Sequence, residues 1–208
     1  IAPAASAGNL TLGTVTGDTN GTFGFINRGT ITASPEDSNA SVRDILIAGT
    51  STQTVTIMGG FFSSGLISAA ATSISPGNAV TATALEIDSF VNIPKLEISG
   101  QSASSTNNNG LVSATINGPE GGAAAAIVIA GAPASGTTTP VTTVPNITID
   151  SGARVIASAT VTDPTNTAVT QLVAIGIEDR SNSLVTLNNA GTISATATTL
   201  THGHTSVA

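Results

Sequence analysis

Apolar residues in this chain recur in short alternating runs embedded in Gly, Ser, Thr and Asn, and Gly191-Thr192-Ile193-Ser194-Ala195 shows the pattern. A period of two sends Ile193 and Ala195 to one face and Thr192 with Ser194 to the other. Related stretches stand upstream: INRGTITA at 26–33, FSSGLISA at 62–69, NNNGLVSA at 107–114 and DSGARVIASA at 150–159. Their glycines, Gly29, Gly65, Gly110, Gly152 and Gly191, fall about forty residues apart, which marks an internal repeat. The equivalent inward pairs are Ile31 with Ala33, Ile67 with Ala69, Val112 with Ala114, and Val155 with Ala157.

Each repeat carries two more apolar segments in the same order. The second contains DILI at 44–47, ALEI at 84–87, AIVI at 126–129 and AIGI at 174–177. The third contains VTI at 55–57, LEI at 96–98, ITI at 147–149 and VTL at 185–187. No segment has a helical period, and turn-forming residues separate the runs.

This predicts an all-β fold: a right-handed parallel β-helix, or solenoid, of about forty-residue, three-strand repeats. A single repeat cannot bury its own apolar face, so stacking must supply the core. The alternative is an antiparallel β-sandwich, which also joins short strands by polar turns. Residues 1–208 are read as one domain, with 1–25 a lead-in and 26–208 the repeats. Two residues before each repeat glycine stand Asn27, Ser63, Asn108, Asp150 and Asn189, which predicts a ladder of polar side chains at a shared turn.

The N-x-G-x-I-x-A motif, followed by an A-I-x-I strand and a V-T-I or L-x-I strand, resembles the degenerate repeats of Gram-negative autotransporter passenger domains. The resemblance spans 26–208. It implies a right-handed β-helix displayed on a bacterial cell surface as an adhesin, surface-layer or biofilm component. Such proteins usually end in a membrane β-barrel, and no stretch here has its alternating strands and aromatic girdles. The chain is therefore read as part of a passenger. The ending HTSVA at 204–208 resembles the entrance to another second strand, which implies a longer parent or a partner that continues the stack.

Composition narrows the function. Only 8% of residues are charged, and twelve acids against five bases give a net charge of -7. The bases Arg28, Arg43, Lys95, Arg154 and Arg180 are scattered, so no nucleic-acid partner is expected. No apolar run is long enough for a transmembrane helix. The absence of cysteine excludes thiolate chemistry.

Catalysis finds no support in the pattern, and the chain is read as not an enzyme. Down the expected stack the outward centre of the second strand reads Leu46, Glu86, Val128 and Gly176, and that of the third reads Thr56, Glu97, Thr148 and Thr186. No acidic ladder forms. Glu86, Asp88 and Glu97 read as a solvated surface, and Glu36-Asp37 and Glu178-Asp179 as turn acids. His202 and His204 form an H-x-H pair that does not complete a zinc site. No cofactor is expected; a calcium ion at the turn PEDSN, 35–39, is the alternative.

Function is then expected in surfaces. DILIAG at 44–49 and AAAAIVIAG at 123–131 are apolar on consecutive residues, so outward Leu46 and Val128 predict an assembly surface. The leading expectation is a non-enzymatic, extracellular structural or adhesive protein that self-associates into a layer or fibre, or joins the remainder of a longer chain. An ice- or glycan-binding module is one alternative, drawn from Thr56, Thr148 and Thr186. A polysaccharide-cleaving β-helix is the other.

Overall fold

The computed structural model describes residues 1–4, 8–18, 21–35, 39–74, 79–100, 110–119, 121–131, 142–162, 172–199 and 206–207. These form strands and turns with no helix. In chain order the strands are β1 (Leu10–Leu12), β2 (Phe25–Asn27), β3 (Thr30–Ala33), β4 (Val42–Ile47), β5 (Val55–Ile57), β6 (Phe61–Ser63), β7 (Leu66–Thr72), β8 (Val80–Ile87) and β9 (Val91–Asn92). They continue as β10 (Leu96–Ile98), β11 (Leu111–Gly118), β12 (Gly122–Ile129), β13 (Asn146–Ile149), β14 (Arg154–Val161), β15 (Leu172–Asp179), β16 (Thr186–Asn189), β17 (Thr192–Thr199) and β18 (Ser206–Val207). Among the described residues, no helix is long and apolar enough to cross a membrane.

The strands assemble into four sheets, and all strand pairs are parallel. Sheet 1 has the order β16-β13-β10-β6-β2, sheet 2 the order β17-β14-β11-β7-β3, sheet 3 the order β18-β15-β12-β8-β4, and sheet 4 the order β1-β5-β9. The chain visits sheets 1, 2 and 3 in turn, and in its first passes also sheet 4, before returning beside its own previous strand. Every strand thus pairs with its counterpart from the neighbouring pass. This pairing rules out the antiparallel sandwich. It also corrects the three-strand repeat: Val55-Thr56-Ile57 lies in sheet 4, against Leu10–Leu12 and Val91–Asn92, and not with Leu96–Ile98. The strands that do pair with Leu96–Ile98 are Phe61–Ser63 and Ile147–Ile149, because the early passes hold a fourth short strand that resembles the third.

Sheet 2 keeps the expected register. Ile31, Ile67, Val112, Val155 and Ile193 stand in one row and Ala33, Ala69, Ala114, Ala157 and Ala195 in the next but one. In the middle passes both rows are buried. Strands in a sheet lie about 4.8 Å apart, so like side chains meet their like above and below, and the small alanines leave room for aliphatics of sheet 3.

Sheet 3 breaks its own alternation. In β8 the buried residues are Val80, Ala82 and Ala84, then Leu85 and Ile87, so the period resets between Ala84 and Leu85. The ladder jumps from Thr83 to Leu85 and, in the next pass, from Ala125 to Ile127. The skipped row holds Asp44, Ala84, Ala126 and Gly176, small residues with one exception. β15 therefore sits two residues from the expected alignment: Val128 pairs with Glu178, and Gly176 falls in the skipped row.

The segment ahead of β2 is more than a lead-in. Phe23 is fully buried and packs on the outward Phe62 of β6, ring centroids 5.1 Å apart. The Lys95 ammonium lies 3.9 Å from the Phe23 centroid, and the Arg28 guanidinium 5.9 Å from that of Phe62. Arg28 is paired in turn with Asp18. Partly exposed cations over ring faces help hold this flap against sheet 1.

Candidate functional site: the outer groove of sheet 3

The reset in sheet 3 accompanies a concavity of the outer surface. Ala125 and Val128 flank the two consecutive inward residues Ala126 and Ile127, and both project outward. Yet they are only 7% and 5% exposed. They floor a depression of about 200 Å³ rimmed by Arg43, Glu86, Glu178 and Arg180. A second depression, of about 410 Å³, adjoins it at the edge strand β4 and contains Leu46. Arg43 and Thr81 border both, so the two form one groove running across the strands.

Of the two residues expected to form an assembly surface, Leu46 is half-buried and Val128 is buried. The physical reason is the register: Leu46, Glu86, Val128 and Glu178 stand in one outward row, and the two long glutamates close over the valine between them. Each glutamate is held by an arginine. Arg43 Nε lies 2.8 Å from Glu86 Oε2, and Arg180 Nη2 lies 2.7 Å from Glu178 Oε2. The hydrogen bond to Glu178 raises the Arg180 pKa further, keeping the guanidinium charged. Bidentate-capable arginines beside an apolar floor suit recognition of polar groups on a flat ring or a neighbouring loop. Both carboxylates are already engaged by cations, so neither is poised as a general base.

The expected polar ladder takes a different form. Asn27 pairs with Ser63, and Asn27 Nδ2 donates to Ser63 Oγ at 3.2 Å and to the Leu66 carbonyl at 3.2 Å. Its Oδ1 accepts from Gly29 N at 3.1 Å, closing a side-chain-capped turn. The same column then continues through Ile98 and Ile149 to Asn189. Asp150 stands one residue beyond it, and Asn108 lies outside the described residues. The cause is turn length. Where two residues join sheet 1 to sheet 2, an Asn or Ser stands in the column, and Asn27 and Asn189 cap their turns; where 99–110 or 150–153 intervene, an isoleucine fills the interior instead.

The threonine column does not form. Thr148 pairs with Glu97 and Asn188, Thr186 pairs with Asn146, and Thr56 lies between Thr11 and Asn92 in sheet 4. A depression of about 360 Å³ near Thr56 is bordered by Phe90, whose φ of 60° is unusual for a bulky residue. Of the calcium turn, 36–38 lie outside the described residues, as do His202 and His204. Among the described residues, no group of three His, Cys, Asp or Glu side chains converges as metal ligands.

Two acids carry roles that pattern reading missed. Asp44 occupies the skipped small-residue row and accepts from Ser68 N at 2.9 Å; burial raises its pKa, and that bond works against the rise. Asp179 is a strand residue and no exposed turn acid. Its carboxylate accepts from Ser181 N, Ser181 Oγ and Leu184 N at 2.9, 2.6 and 3.0 Å, fixing the corner that leads into β16. The D-x-S-x-S spacing was the available signal, since Asp side chains bond to amides two residues on.

Comparison of the chain with protein-family models, curated proteins and solved structures finds no match. The resemblance to autotransporter passengers therefore rests on the repeat motif.

Proposed function

We propose that this chain is a stretch of right-handed parallel β-helix that serves as a non-enzymatic, structural or adhesive part of an exported bacterial surface protein. The observation that carries this reading is the four-sheet, all-parallel pairing of each strand with its counterpart one pass away. A strand that crosses over to a parallel neighbour does so with right-handed connections in nearly all proteins. The engagement of Glu86 and Glu178 by arginines favours a binding or packing surface over hydrolysis. Labelling intact cells of the source organism with an antibody to residues 25–199 tests the location. Signal on unpermeabilised cells is expected; signal that appears only after permeabilisation would overturn the proposal.

The groove of sheet 3 favours one second reading, a glycan ligand laid across β4, β8, β12 and β15. Glycan-array binding that is lost in Arg180→Ala would support it, and an array with no binding removes it.

A further inference from the structure

We infer that Phe90 and the polar row beside it on the outer face of sheet 4 form a binding site for an uncharged saccharide. The inference goes beyond the structural reading above, and its site is distinct from the groove of sheet 3.

Phe90 supplies the first observation. Four of the five phenylalanines serve the fold: Phe23 lies against Phe62, and Phe25 stacks on Phe61. Phe90 is the one phenylalanine that is neither buried nor packed against the core. Among the described residues, the non-glycine residues with a positive φ are Asn39, Phe90 and Asn182. Asparagine tolerates that conformation, and a bulky ring is strained in it. Ile87, Ile129 and Asp179 stand in one row of sheet 3, so Phe90 and Asn182, each three residues further on, occupy the same corner. Their φ angles agree, at 60° and 59°. The corner can therefore be turned by asparagine, and nothing in the turn calls for an aromatic ring. A residue that strains its own backbone without filling the core marks a functional position.

The frame around the ring is fixed. The Phe90 carbonyl accepts from Val55 N at 2.9 Å, the Ser89 carbonyl from Gly49 N at 2.9 Å, and Asp88 Oδ1 from Ser89 N at 2.7 Å. A β-carbon on Gly49 would be driven into the Phe90 carbonyl oxygen, so glycine there lets the corner close. The depression lies within the stack: β1 precedes it, and Ser183, which accepts from Val144 N, follows it.

The second observation is what borders the ring. Thr11, Thr56, Asn92 and Thr143 pair from pass to pass in one row. Their neighbours Val55, Val91 and Val144 are buried, so the row faces outward at steps of about 4.8 Å. Thr54 stands beside Phe90 in the next outward row. Between them lies the depression of about 360 Å³, bordered by Thr54, Thr56, Phe90, Val91, Asn92 and Thr143. Among the described residues, no charged side chain borders it. A pyranose offers a face of polarised C–H groups and a rim of hydroxyls. The C–H face suits the negative face of an aromatic ring. The hydroxyls suit threonine hydroxyls and the Asn92 carboxamide, each able to donate and to accept. An acidic sugar would meet no cation here, and the net charge of -7 opposes it. Because the polar row runs along the stack axis, it fits a linear oligosaccharide laid along that axis.

A printed array of neutral and uronic-acid-containing oligosaccharides, followed by calorimetric titration of the best neutral binder, tests this on the whole chain. The wild type is expected to retain neutral oligosaccharides in preference to acidic ones. Phe90→Asn copies the corner of the last pass, and should weaken binding about 10-fold or more with the thermal midpoint unchanged or raised. Asn92→Ala removes polar groups alone and should weaken binding about 5-fold. An array that retains no neutral oligosaccharide overturns the inference, as does a Phe90→Asn variant that binds like the wild type. A clear fall in the midpoint of Phe90→Asn also overturns it, because the ring would then serve the fold. Binding lost in Arg180→Ala but kept in Phe90→Asn assigns the ligand to the groove of sheet 3 and overturns it too. Surface labelling of cells decides the structural reading separately.

Discussion

Val155 and Ile193 are neighbours in one row of sheet 2, followed by Ala157 and Ala195 in the same order. Val155 is fully buried because a pass lies on either side of it; Ile193 has a pass on one side and is half-buried. Val185 and Leu187, in the same last pass, are 81% and 44% exposed. Sequence is nearly constant between the two regions, and the number of neighbours differs. The interior is therefore a property of the stack, and what an individual aliphatic contributes depends on how many passes enclose it.

The sharpest way to break that contrast is to cut the same side chain in both places. Ile67→Ala, in the buried row, is expected to cost about 4 kcal/mol in urea unfolding, against about 1 kcal/mol for Ile193→Ala. Equal losses would mean that the last pass is covered in solution. A smaller gap is expected at the caps. Asn27→Ala strands the Ser63 hydroxyl and the Leu66 carbonyl as well as Gly29 N, for about 2 kcal/mol. Asn189→Ala, at an exposed turn, should lose about half of that by the same measurement.

The smallest effect concerns charge between passes. Burial raises the Glu97 pKa above its ordinary value of 4.5, the Lys95 ammonium lowers it in part, and the Asp150 carboxylate raises it further. A carboxyl whose folded pKa is raised makes the folded chain bind protons more tightly than the unfolded one. Its ionised form is a penalty at neutral pH that is relieved as pH falls through the raised value. Asp44 acts in the same direction. The thermal midpoint is expected to rise on moving from pH 7 into the mildly acid range, by less in Glu97→Gln; a midpoint that falls steadily would assign the larger role to other acids.

The repeat was legible in the sequence, and so was the inward row of sheet 2, since N-x-G-x-I-x-A places one branched and one small residue at a constant offset from a glycine. The fourth sheet was not. Val55-Thr56-Ile57 and Ile147-Thr148-Ile149 have the same pattern, and a strand of three residues carries too little to tell one sheet from another. The register of β15 was missed because A-I-x-I occurs at 174–177 while the stack aligns 176–179 with 126–129. Periodicity cannot foresee the reset at Ala84 and Leu85, yet that reset accompanies the groove: Arg43, Glu86, Glu178 and Arg180 lie far apart in sequence and meet only across passes.

The flap of Phe23 on Phe62 has an optical consequence. All five phenylalanines lie between Phe23 and Phe90, and the chain contains no tyrosine or tryptophan. Near-ultraviolet circular dichroism thus watches the first two passes alone. If the far end melts earlier, the far-ultraviolet strand signal will fade while the benzyl bands hold steady, so an intrinsic chromophore reports the direction in which the molecule comes apart.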